Sequence, residues 1–216
     1  MSELSDLLAA AREDYTRGGL AEEDLAPDPY AMFERWYDDA RAAGLHEPNA
    51  MVVSTVGADL APSSRIVLLK GFSGDGFVFF TNLSSRKGGD LADNPRCSLL
   101  FPWHPIERQV RVEGTATPLP RPAVADYFAV RPRGSQLGAW ASDQSRVVPG
   151  REALAASYDE VERRFAGGEV PVPEDWGGYV VAPASVEFWQ GRPSRMHDRL
   201  LYRRSDTGWT TSRLAP

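Results

Sequence analysis

Arg65-Ile66-Val67-Leu68-Leu69-Lys70-Gly71-Phe72-Ser73-Gly74-Asp75-Gly76-Phe77-Val78-Phe79-Phe80-Thr81 decides the fold class. Runs rich in β-branched and aromatic residues lie on either side of Gly74-Asp75-Gly76, a hairpin signal, so 65–69 and 77–81 are predicted as strands. The glycines of 71–76 join strands and lack both the dinucleotide and the phosphate-loop spacing. Working outward, 51–56, 97–101, 109–117, 176–190, 199–203 and 209–211 have the same strand character. Helices are expected at 3–17, where Leu4, Leu7, Leu8 and Ala11 recur at helical spacing, and from Asp28-Pro29 to Gly44. Others are expected from a Ser84 or Ser85 cap to about Ala92, and at 121–129, 133–141 and 150–166. Strands joined by short turns, with helices gathered in blocks, predict a mainly β, α+β chain with an antiparallel sheet or barrel and peripheral helices. No repeat or boundary divides it, so residues 1–216 are expected to form a single domain.

Composition narrows the function. The chain has 24 Lys plus Arg against 30 Asp plus Glu, for a net charge of −6, which argues against a nucleic-acid surface. Any bound anion then needs a local pocket. Residues 1–14 carry Glu3, Asp6, Glu13 and Asp14 and no long apolar core, and no run approaches the roughly 18 apolar residues of a membrane span. A cytoplasmic setting is expected, and the lone Cys97 agrees with it. Cys97 and the histidines at 46, 104 and 197 are too few for a recognisable metal site, so none is expected. The cations are almost all arginine, and the lysines are Lys70 and Lys87.

Several cations stand where an anion would relieve a conflict. With Ser84 or Ser85 as N-cap, Arg86 and Lys87 fall in a first helical turn, where the macrodipole disfavours them. A phosphate cradle and two solvated charges both fit that stretch. Alternation along 65–70 puts Arg65 and Lys70 on opposite strand faces, suggesting two anions or two snorkelling ends. Tyr127, Arg131 and Ser135 are spaced by four, but Pro132 breaks a continuous helix and leaves Arg131 beside a fresh helix start, suited to phosphate. If 195–199 is extended, Arg195, His197 and Arg199 share a face and repel unless a polar substrate covers them, or else form an exposed edge.

Taken in order, these blocks resemble the pyridoxamine/pyridoxine 5'-phosphate oxidase family. The resemblance runs from Arg12 to Pro216 through Arg65–Lys70, Phe80–Lys87, Glu107–Val110, Arg131–Trp140, Trp176–Gly178, Glu187–Gly191 and Arg195–Arg199. It implies an FMN-binding split β-barrel and a homodimer with FMN between subunits. It further implies oxidation of pyridoxamine 5'-phosphate and pyridoxine 5'-phosphate to pyridoxal 5'-phosphate. In that reaction hydride passes from C4' to flavin N5, and dioxygen is reduced to hydrogen peroxide.

The same resemblance implies FMN contacts at Arg65, Ile66, Val67, Leu68, Leu69, Lys70, Phe80, Thr81, Arg86, Lys87, Gln109, Gln144, Ser145, Trp189 and Arg199. It implies substrate-phosphate contacts at Lys70, Tyr127, Arg131 and Ser135, and catalytic, substrate-binding roles for Arg195 and His197. Arg12 and Tyr15 would bind substrate from an N-terminal segment, 1–26, that covers the site. Departures from the family pattern are Phe80 for Tyr, Met196 for Leu and Glu47 for Asp. Phenazine-pathway flavoenzymes and deazaflavin-dependent reductases use the same barrel on other substrates. A flavin- or vitamer-binding protein without turnover would share most of the same residues.

Overall fold

Three short strands carry the deciding stretch, β2 (Pro62–Leu68), β3 (Gly71–Ser73) and β4 (Gly76–Asn82), and β1 (Ala50–Val56) precedes them. The Gly74-Asp75 turn joins β3 to β4, with Phe72 opposite Phe77, while β2 pairs with β1 and sets Val53 opposite Arg65. Residues 65–69 and 77–81 are thus strands as expected, with 69 beyond the end of β2.

This computed structural model describes residues 3–10 and 14–216, and the chain divides into two compact units. The larger is built from Asn49–Leu100 and Val112–Ala184. It contains β5 (Arg96–Trp103) up to 100, β6 (Arg108–Pro118) from 112 and β7 (Trp176–Gln190) up to 184. The strand order is β2-β1-β5-β6-β7-β4-β3. β1 alternates between half-buried and buried residues, so Met51, Val53 and Thr55 face inward, joined by Phe77, Phe79, Leu99, Val112 and Val181. α3 (Arg86–Asp93) starts at Ser85, whose Oγ accepts the Gly88 N–H at 3.4 Å. α4 (Arg121–Ala129), α5 (Arg133–Ala141) and α6 (Arg151–Arg164) pack around Val124, Phe128, Leu137, Val161 and Trp176. The helix break at Pro132 is present as expected.

The other unit comprises residues up to Pro48, Phe101–Arg111 and Ser185–Pro216. Its strands include β8 (Asp198–Ser205), paired with the end of β7, and β9 (Gly208–Arg213), paired with β8. α2 (Pro29–Ala42) is capped by Asp28, which accepts the N–H groups of Tyr30 and Ala31 at 2.9 Å, with Pro29 in its first turn. It buries Met32, Phe33, Trp36 and Ala40, and Trp36 meets Phe188 edge-on at 5.2 Å. α1 (Glu3–Ala10) leaves Leu4, Leu7 and Leu8 exposed.

The helix expected to reach 17 is corrected here. Residues 14–20 form neither helix nor strand, because side chains distant in sequence bind their backbone groups in place of carbonyls one turn earlier. Among the described residues, no helix is long and apolar enough to cross a membrane.

Candidate active site

The larger unit holds a cavity of about 860 Å³, in the size range of a cofactor or small-molecule site. One wall is β2 and its continuation, where Arg65, Ile66, Val67, Leu68 and Lys70 line the cavity. Arg65 is held by the protein itself. Nη1 donates to Val53 O (3.1 Å), Thr55 Oγ1 (2.7 Å) and Ser63 O (3.0 Å), and Nη2 donates to Ser63 Oγ (2.6 Å) and lies 3.8 Å from Asp90. Thr55 in turn donates to Asp90 at 2.6 Å. Burial lowers the Arg65 pKa, Asp90 opposes that shift and Arg86 adds to it. Strand alternation suggested that Arg65 and Lys70 serve two anions on two faces, and this is corrected. β2 ends at Leu68 and the Lys70 N–H pairs with Val78 O at 2.8 Å, so alternation lapses and both cations border one cavity. Leu69 is buried, and its N–H donates to Asn49 O.

A second wall comes from the end of β4 and the start of α3, with Phe80, Thr81, Arg86 and Lys87. Lys87 is only 7% exposed, and its ammonium donates to Thr81 Oγ1 (2.9 Å), Ser85 Oγ (3.3 Å) and Gln144 Oε1 (2.7 Å). All three acceptors are uncharged. Burial, with repulsion from Arg65, pushes the Lys87 pKa down to about 8. Gln144 Oε1 also accepts from Thr81 at 3.2 Å, and Ser145 lines the cavity beside it.

The third wall is the α4–α5 joint, with Tyr127, Arg131 and Ser135. Phe80 stacks on Tyr127 at 4.0 Å and on Trp176 at 5.4 Å, with the rings within 12° of parallel. The Arg131 guanidinium lies 4.6 Å over Trp176, and its buried Nη1 has no hydrogen-bond partner among the described residues. Burial lowers the Arg131 pKa, with Tyr127 opposing. A guanidinium taken from water with a donor left open fits an incoming phosphate. The cavity thus carries two groups of under-neutralised cations, at α3 and at the α4–α5 joint, with a stacked aromatic surface.

The remaining expected residues belong to the other unit. Trp189 and His197 lie 4.7 Å apart, and Tyr15 meets them edge-on at 5.8 and 5.6 Å. Gln109 is half-buried on β6. Arg199 is ion-paired, with Nε 2.8 Å from Glu187 Oε1 and Nη2 3.2 Å from Oε2, which raises its pKa; Arg111 binds the same carboxylate. The extended reading of 195–199 is corrected. Pro193–Arg195 is a 3-10 turn with positive φ at Ser194 (56°) and Arg195 (60°), and β8 begins at Asp198, so the three residues do not share a strand face. Arg12 lies outside the described residues.

Sequence reasoning assigned no role to Trp176 or Glu187. Both stand inside family-like blocks, Trp176-Gly-Gly178 and Glu187-Phe-Trp-Gln-Gly191, which was the available signal.

Known proteins resemble this chain over most of its length. Residues 37–165 match the family described as Pyridoxamine 5'-phosphate oxidase, and residues 176–216 match the Pyridoxine 5'-phosphate oxidase C-terminal dimerisation region. A pyridoxine/pyridoxamine 5'-phosphate oxidase from Nocardioides sp. is 66% identical, covering 97% of this chain and 98% of that one. Its counterpart from Rubrobacter xylanophilus is 56% identical, covering 97% and 96%. Among solved structures, PhzG from Burkholderia lata, in complex with tetrahydrophenazine-1-carboxylic acid, superposes with a TM-score of 0.85 at 31% identity, covering 91% of this chain and 98% of that one. A pyridoxamine 5'-phosphate oxidase-related, FMN binding protein from Nostoc punctiforme shares the fold, with a TM-score of 0.69 at 17% identity, covering 89% and 100%. The split-barrel class expected from the sequence is the fold observed.

Proposed function

The chain belongs to the pyridoxamine 5'-phosphate oxidase family, and on that premise we propose that it oxidises pyridoxamine 5'-phosphate and pyridoxine 5'-phosphate to pyridoxal 5'-phosphate in the cytoplasm, with FMN and dioxygen. The amine substrate, water and dioxygen give aldehyde, ammonia and hydrogen peroxide; the alcohol needs no water and releases no ammonia. The observation that carries this reading is the open, buried Arg131 donor over Trp176, in the same cavity as a Lys87 ammonium that has only neutral partners. Two cationic groups in one cavity suit two phosphates, one on the cofactor and one on the substrate.

Arg65 to Lys70, Phe80, Thr81, Arg86, Lys87, Gln144 and Ser145 would hold FMN, with Gln109, Trp189 and Arg199 completing its contacts. Leu69, buried and bound to Asn49 through its N–H and carbonyl, would contribute by fixing the backbone between Leu68 and Lys70. When bound, FMN supplies the two-electron acceptor that no side chain provides. Lys70, Tyr127, Arg131 and Ser135 hold the substrate phosphate, which fixes the distance of C4' from the cofactor and makes the reaction effectively intramolecular. The stacked Phe80, Tyr127 and Trp176 rings keep water from one side of the cavity. Arg195 orients the substrate ring and steadies negative charge on its oxygens, while His197 positions it by hydrogen bonding. The active unit is a homodimer with FMN between subunits, a reading supported by the match of 176–216 to a dimerisation region. On the same reading Arg12 and Tyr15 of the N-terminal segment would bind the substrate.

The test is reconstitution with FMN followed by either vitamer phosphate in air. Aldehyde and peroxide are expected in equal amounts. Tight flavin binding without product from either compound would overturn the reading.

A further inference from the structure

Residues 14–20 follow no regular structure, so their backbone polar groups need partners from elsewhere. Five side chains supply them. The Arg17 N–H donates to Glu107 Oε2 (2.9 Å) and Arg17 O accepts from Gln190 Nε2 (2.9 Å). Gly18 O accepts from Arg192 Nη1, the Leu20 N–H donates to Asp198 Oδ2 (3.0 Å), and Leu20 O accepts from Arg213 Nη2 (3.0 Å). Arg192 has further contacts. Its Nε lies 3.5 Å from the same Asp198 oxygen, and its backbone N–H donates to His197 Nδ1 at 3.1 Å. That bond makes Nδ1 an acceptor and places the proton of the neutral ring on Nε2.

Two glycines make room for this arrangement. A Cβ on Gly191 would stand 2.7 Å from Tyr15 Cγ, and one on Gly19 would stand 2.9 Å from Arg192 Nη1. The Tyr15 ring therefore rests directly on the backbone next to Arg192, and the Arg192 guanidinium rests on the segment that carries Tyr15.

We propose that Arg192 is a positioning residue: its side chain holds residues 15–20 so that Tyr15 stays against His197 and Trp189, while its backbone N–H orients the His197 ring. The proposal rests on the preceding reading in that Tyr15 and His197 are taken to meet the substrate. The Arg192 side chain is 43% exposed, so shortening it opens no buried void and separates positioning from stability.

The experiment compares wild type, Arg192→Ala and Arg192→Lys as FMN-loaded full-length chains. Amide hydrogen exchange across 14–20 is expected to quicken about tenfold in Arg192→Ala and less in Arg192→Lys. KM for pyridoxine 5'-phosphate should rise about five- to tenfold in Arg192→Ala with flavin content unchanged. In a Tyr15→Ala background, the same change should alter KM by less than about twofold, because the positioned group is gone. Unchanged exchange, loss of flavin, or a penalty undiminished beside Tyr15→Ala would each overturn the proposal. Should wild type oxidise neither vitamer, the functional reading fails, and exchange still decides whether Arg192 holds the segment.

Discussion

Arg199 and Lys87 were both expected at the flavin, yet they are neutralised differently. Arg199 lies against the buried Glu187 carboxylate, which raises its pKa, and Arg111 shares that carboxylate. Lys87 is buried against two hydroxyls and an amide, and burial lowers its pKa. The contrast extends further. Arg213 binds Glu22 and Asp198, and Arg108 binds Asp39 at 2.7 Å, whereas Arg131 keeps a buried donor open among the described residues. A cation matched by the protein's own carboxylate is anchored with or without ligand. One desolvated against neutral oxygens is a standing cost that an incoming anion removes. The cavity is thus marked less by its number of cations than by the carboxylates withheld from Lys87 and Arg131.

Removing the anchor should give the largest effect. Glu187→Ala leaves Arg199 and Arg111 without their shared carboxylate, and breaking a buried pair costs about 3 kcal/mol or more. Arg111 is 45% exposed, which keeps the loss near that lower figure. For a chain of this size the thermal midpoint should fall by about 6–12 °C. An unchanged midpoint would show that the carboxylate anchors neither arginine.

Arg131→Leu should behave in the opposite way. It removes a desolvated donor, so the midpoint should hold or rise slightly. Loss of charge-assisted bonds to phosphate, about 1.5–3 kcal/mol, should lower kcat/KM about 10- to 100-fold, mainly through KM. A lower midpoint with unaltered KM would place Arg131 with the anchored cations and dissolve the contrast.

Local signals made most of the elements legible. Asp28-Pro29 and Gly44 bracket α2, Pro132 separates α4 from α5, and strand composition located every strand within a few residues except β3, whose three residues were read as part of the turn. Legibility failed where partners are far apart in the chain. Residues 14–17 follow the helical pattern of Leu4 to Ala11 with no breaker before Gly18, but Arg17–Leu20 are bound by side chains from 107 onward. Nothing near Arg199 announces Glu187, and spacing could not reveal the Trp176 platform, whose ring partners Phe80 and Tyr127 come from other elements. The positive φ of Ser194 and Arg195 was equally hidden, since neither residue is a glycine. At the cavity, local rules found Lys87 and Arg131 but could not tell paired cations from open ones, because pairing depends on tertiary neighbours.

The pH dependence of flavin binding gives the finest test of that distinction. In the free protein the Lys87 pKa is about 8, well below the unfolded value of 10.5. Between those values the folded state binds fewer protons than the unfolded one, so this group makes unliganded stability rise with pH over that window. Cys97 and Tyr202, both pushed up to about 12, act in the other direction at alkaline pH, so the comparison must be made against Lys87→Met, which keeps both. For flavin the sign reverses. An FMN that needs the ammonium loses affinity as Lys87 deprotonates, about tenfold between pH 7 and pH 9, whereas the FMN phosphate is already largely dianionic at pH 7. Lys87→Met should bind FMN more weakly at pH 7 and lose most of the slope. Equal slopes in both proteins would mean that Lys87 does not meet the cofactor as a cation, and its neutral partners would then be its final ones.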